Sequence, residues 1–197
     1  MRGALIAFEG LDQSGKQTQT DALAAALTAA GREPERLSFP DYATAIGTEI
    51  HKALHGEREY APDVMQLLYV ANRYEFRARL ESWVAEGRIV VCDRYRASSI
   101  AYGEAQGLDA AWLTDIQRFL PAADLTILLD IPPEVAVERK ATDRDRYERD
   151  LDLLTRVRTS YRAQACDSGW ILIPGDRDKA VVTADVREAV RSRLGLL

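Results

Sequence analysis

The sequence predicts an α/β fold: a mainly parallel sheet of about five strands flanked by helices. Three observations carry this. Strand-length apolar runs alternate with helix-length amphipathic stretches along the chain. The runs Leu5–Phe8, Ile89–Cys92 and Leu125–Leu129 are continuously apolar, as strands covered on both faces must be. Polar clusters follow the runs directly, at Gly10–Lys16, Phe39–Tyr42, Asp93–Tyr95 and Asp130. Open α/β sheets bind ligands outside that carboxyl edge.

The elements follow in order. Leu5–Phe8 leads through Glu9 into the loop Gly10–Lys16, and a helix rich in Ala and Leu spans Gln17–Ala30 until Gly31 stops it. A short strand at Leu37–Phe39 ends at Pro40, which cannot donate to a central ladder. Ala45–Leu54 reads as a helix. Its His51 and His55 have a metal-ligand spacing but no third ligand, so they are assigned to a solvated face. Pro62-Asp63 opens the longest expected helix, to about Glu86, with Val64, Leu67, Leu68, Ala71, Leu80 and Val84 as its buried stripe. Tyr69 and Arg73 project from one side of it. Ile89–Cys92 then delivers Asp93-Arg94-Tyr95 to the sheet edge. A helix is expected over about Asp109–Phe119, a strand over Leu125–Leu129, and a helix from Pro132-Pro133 to about Lys140. The charge-dense stretch Glu138–Asp152 precedes a long helix to about Cys166. Trp170–Ile173 is the last strand and Asp178–Leu194 the last helix. Trp83, Trp112 and Trp170 fall in apolar patterns and are expected in the core.

With 197 residues, the chain reads as one domain, 1–197. A net charge of −5 supplies no basic field to recruit nucleic acid. Cys92 and Cys166 are expected to be small buried thiols in a reducing compartment. No apolar run approaches the ~20 residues of a membrane span. No signal region precedes Leu5, so a cytoplasmic location without membrane association is the expectation.

Gly10, Gly15 and Lys16 fit the phosphate-loop spacing G-x-x-x-x-G-K between a strand and a helix. Backbone N–H groups of such a loop point at phosphate oxygens, and the helix dipole adds to them. The expected ATP contacts are therefore Gly10, Leu11, Asp12, Gln13, Ser14, Gly15, Lys16, Gln17 and Thr18. One position departs from the motif. The hydroxyl residue that ligates Mg²⁺ after the lysine is replaced by Gln17, with Thr18 one place later.

Taken together, FEGLDQSGK (Phe8–Lys16), FPDY (Phe39–Tyr42), LLYVANR (Leu67–Arg73), DRYRASSIAYG (Asp93–Gly103), LLDIPPEVAVER (Leu128–Arg139) and RYE (Arg146–Glu148) resemble the thymidylate kinases, in the family's order and from end to end. The resemblance implies the three-layer P-loop NTPase sandwich with a short lid at about 139–150. It also implies the reaction ATP + dTMP → ADP + dTDP with Mg²⁺, in dTTP biosynthesis, by a homodimer. It places Arg94 on the acceptor phosphate, Asp93 near the metal, and Asp12 toward the sugar 3′-hydroxyl. Phe39 and Tyr42 fall near the acceptor sugar and phosphate, Tyr69 stacks on the base, Arg73 donates to thymine O4, and Ser98 and Ser99 read the base edge. Tyr102 lies under the sugar at C2′, where it disfavours a ribose hydroxyl. Gln13 is uncharged, so the catalytic cation is implied in the lid, as Arg144 or Arg146. Arg139 and Arg177 are implied on the ATP side, Tyr147 and Glu148 toward the acceptor. Gln17 and Glu148 join Asp93 as implied metal neighbours. Two other readings stay open: a kinase of the same fold for another nucleotide or a nucleoside, and a phosphate-loop protein that binds without transferring. A GTPase is disfavoured because the sequence has no N-K-x-D motif.

Overall fold

The strand with the longest buried run takes the centre of the sheet. In the computed structural model, which describes residues 3–139 and 150–197, β1 (Ala4–Glu9) is buried along its whole length. A phosphate loop and α1 (Lys16–Ala29) follow, then β2 (Glu35–Ser38), α2 (Ala45–Leu54), α3 (Pro62–Tyr74), α4 (Arg77–Ala85), β3 (Ile89–Asp93) and α5 (Arg96–Ala105). The rest is α6 (Ala110–Asp115), β4 (Leu125–Asp130), α7 (Pro133–Arg139), α8 (Leu151–Ser168), β5 (Ile171–Pro174) and α9 (Lys179–Leu194). The strand order among the described residues is β2-β3-β1-β4-β5, with every pairing parallel. This is the expected α/β three-layer sandwich. Alternate β1 residues face opposite layers. Ile6 and Phe8 pack with Leu23 and Leu27 of α1 and Val182 and Val186 of α9. Leu5 and Ala7 pack with Phe39, Leu80 and Tyr95 on the other side. The parallel arrangement brings Glu9, Ser38, Asp93, Asp130 and Pro174 to one edge.

Several expectations change. The helix expected over Pro62–Glu86 breaks at Glu75-Phe76, and the longest described helix is α8, with 18 residues. Phe76 turns inward at the break and meets the Phe39 ring edge-on at 5.5 Å. No Gly or Pro marks that break; the aromatic contact sets it. The stripe of α3 is also rotated: Met65, Gln66, Val70, Asn72 and Arg73 are buried, whereas Val64 and Leu67 are exposed. The helix α5 has no sequence signal of its own, because Ser98, Ser99 and Gly103 are weak helix formers. The helix α6 ends earlier than expected, at Asp115. Trp83, Trp112 and Trp170 are half-buried rather than core, and Cys166 is exposed while Cys92 is buried. His51 and His55 are exposed and stacked on each other, as a solvated face allows.

The loop after β2 is held by α2 and α3. Asn72, wholly buried, accepts from the Asp41 N–H at 2.8 Å and donates to the Asp41 carbonyl and to Thr44 Oγ. Thr44 caps α2 by accepting from the Gly47 N–H. A Cβ on Gly47 would lie 1.7 Å from the Asp41 carbonyl oxygen, so this close approach requires glycine. Gly47→Ala is therefore expected to cost about 1–3 kcal/mol, read as a Tm several degrees lower by circular dichroism. An unchanged Tm would show that the loop moves aside freely.

Candidate active site

The phosphate loop is bounded by a glycine of positive φ at each end. Gly10 has φ 139°, and a Cβ there would lie 2.4 Å from the Leu129 carbonyl oxygen. Gly15, at φ 96°, is the residue from which α1 starts. Lys16 is buried, and its Nζ donates to the Leu11 and Gly10 carbonyls at 2.8 and 3.2 Å. Arg139 closes the loop from outside, donating to the Gln13 carbonyl and to the Gly175 carbonyl, each at 3.0 Å. The resemblance implied Arg139 as an ATP-side residue; in the structure it clamps two loops together.

Burial pushes the Lys16 ammonium down to about 8, and the Arg94 cation nearby adds to this, against the pull of Asp12 and Asp93. Only the protonated form attracts phosphate. ATP affinity of the free protein is therefore expected to fall as pH rises through about 8. Bound phosphates favour the charged form, so the falling limb should move to higher pH in the complex. Titration of ATP binding against pH checks this; a flat profile from pH 7 to about 9 would refute it.

Arg94 stands where the loop meets the rest of the site. Its backbone, at φ 64°, sends its N–H to the Phe8 carbonyl at 2.9 Å, which turns the chain out of β3 beside β1. Its guanidinium donates to Asp12 Oδ1 at 2.7 Å, to Ser98 Oγ at 3.1 Å and to the Tyr161 hydroxyl at 3.2 Å, and lies over the Tyr102 ring. Burial works against charge on both partners. Even so, Arg94 and Lys16 hold the Asp12 carboxyl well below the usual carboxylate range, and Asp12 keeps Arg94 protonated. The Tyr102 hydroxyl also donates to Asp12, at 3.2 Å.

Beneath Arg94 lies a group that the sequence analysis quoted but gave no role. Glu9, wholly buried, accepts from the Tyr95 N–H at 2.8 Å, from Ser98 Oγ at 2.6 Å and from the Tyr161 hydroxyl at 3.2 Å. Ser98 is thus spent on this network; its hydroxyl supports Arg94 rather than reading a base edge. Tyr161, on α8, was missed altogether. The one legible signal was Glu9 itself, a charge closing a strand of buried residues.

A pocket opens beside Arg94, with about 520 Å³ of empty space counting its mouth. Of the residues the resemblance implied, Asp12, Phe39, Tyr42, Tyr69, Arg73, Ser98, Ser99 and Tyr102 line it, together with Pro40, Leu54 and Gln66, which were not anticipated. Arg73 is buried and donates to Ser99 Oγ at 2.7 Å, so the guanidinium is fixed across from α5. Phe39 is both pocket wall and core residue, whereas Tyr42 is largely exposed at the rim.

A second cavity adjoins the first and shares Asp12, Phe39, Pro40, Tyr42 and Arg94 with it. It is lined by Gln13, Gly15, Lys16, Gln17, Thr18, Asp93 and Arg139. Asp93 Oδ1 is buried there without a partner among the described residues, an oxygen suited to a hard cation. No cluster of three or more His, Cys, Asp or Glu that could hold a metal occurs among the described residues. Mg²⁺ binds through one or two carboxylates plus substrate phosphates, so a lone carboxylate oxygen beside the phosphate loop is a donor of the kind it takes. The Gln17 amide nitrogen donates to Asp21 one turn along α1, which leaves the amide oxygen as the atom a metal would use. Arg177 is turned onto α9, where it pairs with Asp185, and not toward the loop. Arg144, Arg146, Tyr147 and Glu148 lie outside the described residues.

Comparison with known proteins bears on this geometry. The thymidylate kinase family model matches residues 8–186. The chain is 35% identical over 189 residues to the thymidylate kinase of Arabidopsis thaliana, covering 96% of this chain and 71% of that one. It is 36% identical over 192 residues to the probable thymidylate kinase of Pyrobaculum aerophilum, covering 95% and 96%. Among solved structures, that of the Candida albicans thymidylate kinase, an enzyme of broad substrate specificity, aligns with a TM-score of 0.84 at 27% identity, over all of this chain and 94% of that one.

Proposed function

This chain belongs to the thymidylate kinase family, and on that premise we propose that it transfers the γ-phosphoryl group of ATP to the phosphate of dTMP, releasing ADP and dTDP. The observation that carries the reading is the junction of two cavities at Asp12 and Arg94: a phosphate loop on one side, an aromatic pocket with a fixed arginine on the other. Two anionic nucleotides must meet there. Lys16 and the loop N–H groups take the donor phosphates, and Arg94 takes the acceptor phosphate. The acceptor is already a nucleophile at neutral pH, so positioning and charge stabilisation carry the catalysis without a general base. Asp93 is the described residue that would hold Mg²⁺, which would supply neutralisation of phosphate charge. Arg144 or Arg146 supplies the lid cation.

We assign the chain a cytoplasmic place in dTTP synthesis and a homodimeric state. The described residues hold no helix long and apolar enough to cross a membrane. Val64 and Leu67, 38% and 46% exposed on one face of α3, offer an apolar surface to a second copy. The test is ADP production from ATP and MgCl₂ with dTMP, dUMP, dCMP, dGMP, AMP, UMP and thymidine as separate acceptors. Strong preference for dTMP supports the reading. Preference for another acceptor keeps a kinase and overturns the pocket assignment. ATP binding without turnover on any of them overturns the kinase.

A further inference from the structure

The acceptor pocket contains a polar side chain that no role above accounts for. Gln66 lines it from α3 and is wholly buried, and among the described residues neither Nε2 nor Oε1 of its amide has a hydrogen-bond partner. A buried amide left unpaired at both ends costs stability, and native structures rarely keep one without a use.

Its position suggests the use. Gln66, Tyr69 and Arg73 stand at i, i+3 and i+7 on α3, so they share one face. Tyr69 lies between an amide on its N-terminal side and a guanidinium on its C-terminal side. A flat base against Tyr69 would present opposite parts of its edge to the two. A guanidinium has only donors, so Arg73 can hold a ring carbonyl but cannot accept a ring N–H. The nearby oxygens are occupied. Ser99 Oγ accepts from Arg73, Ser98 Oγ belongs to the Glu9 network, and the Asp12 carboxylate is held by Arg94 and Tyr102. Among the side-chain amides and carboxylates lining the pocket, Gln66 Oε1 is the uncommitted acceptor.

Thymine presents one N–H between two carbonyls. One donor and one acceptor side by side match an N–H/C=O pair with two parallel hydrogen bonds, while Arg73 keeps the other carbonyl. We propose that Gln66 is a specificity-determining residue: its Oε1 accepts the ring N–H of the acceptor base, and its Nε2 donates to an adjacent ring carbonyl. This rests on the functional reading above.

Steady-state kinetics of the wild type and Gln66→Met, with dTMP and N3-methyl-dTMP as acceptors, test it. Methylation removes the N–H. In the wild type it should raise KM at least about ten-fold. In Gln66→Met, the KM for dTMP should rise about ten-fold with kcat within about two-fold, and the two acceptors should become nearly equivalent. A merely structural Gln66 would change Tm and leave that ratio as it was. An unchanged KM for dTMP in Gln66→Met, or a wild type indifferent to methylation, overturns the assignment. If Gln66→Met does not fold, Gln66→Leu reads the same ratio. Absence of wild-type turnover with dTMP overturns the functional reading and this assignment with it; the variant comparison can fail while that reading stands.

Discussion

Arg94→Ala is expected to lower kcat about 10³-fold or more with dTMP as acceptor. Two effects act together. The variant loses the cation that faces the acceptor phosphate, and it frees the Asp12 carboxylate, now held at 2.7 Å by that guanidinium. An uncompensated carboxylate beside Lys16 then competes with phosphate for the ammonium and repels both substrates. The second effect is separable. Asp12→Asn in the Arg94→Ala background removes the repulsion and should recover affinity for ATP without restoring kcat. Arg94→Lys should recover only a little, because an ammonium cannot reach Asp12, Ser98 and Tyr161 in one plane as the guanidinium does. Steady-state kcat and KM, with Tm as a folding control, decide it. A loss confined to KM would mean that Arg94 binds the acceptor without acting in the transition state.

Glu9→Leu is expected to be the most destabilising single change in the site. It strands the Tyr95 N–H and one hydroxyl proton of the Ser98–Tyr161 pair, whose oxygens keep each other at 2.8 Å and Arg94, in a region closed to water. Each orphaned group costs about 1–3 kcal/mol. The sum corresponds to a fall in Tm of about 10 °C or more for a chain of this size. Ser98 and Tyr161 are also two of the groups that hold Arg94, so the protein that does fold should show a lower kcat with ATP affinity little changed. Differential scanning calorimetry and steady-state kinetics read the two effects separately. Tyr161→Phe should reproduce part of the kinetic loss at a smaller cost in Tm. Stability equal to wild type in Glu9→Leu would show that the released donors find other partners.

The reach of the sequence ended where contacts became distant. Gly10, Gly15 and Lys16 are fixed by a spacing that chemistry requires locally, and the strands announce themselves by continuous apolar runs, so the loop, the sheet class and the placing of Asp93-Arg94 at its edge were all legible. So were the aromatic residues and the arginine of the acceptor pocket, because Phe39–Tyr42, Leu67–Arg73 and Asp93–Gly103 carry the resemblance to the family. Tertiary structure alone decided which polar groups meet. Glu9 and Tyr161 are 152 residues apart, and Asp41 and Asn72 are 31 apart. No periodicity pairs them. The break between α3 and α4 was hidden for a related reason: helix propensity is a sum over neighbours, whereas the turn at Glu75-Phe76 is set by Phe76 packing against Phe39. On the same helix, Val64 and Leu67 turn outward while Gln66, Asn72 and Arg73 are buried. Local chemistry thus determined what the chain brings to the sheet edge. Burial against distant partners determined which of those groups face the two cavities, which hold one another, and which remain unpaired at the pocket wall among the described residues.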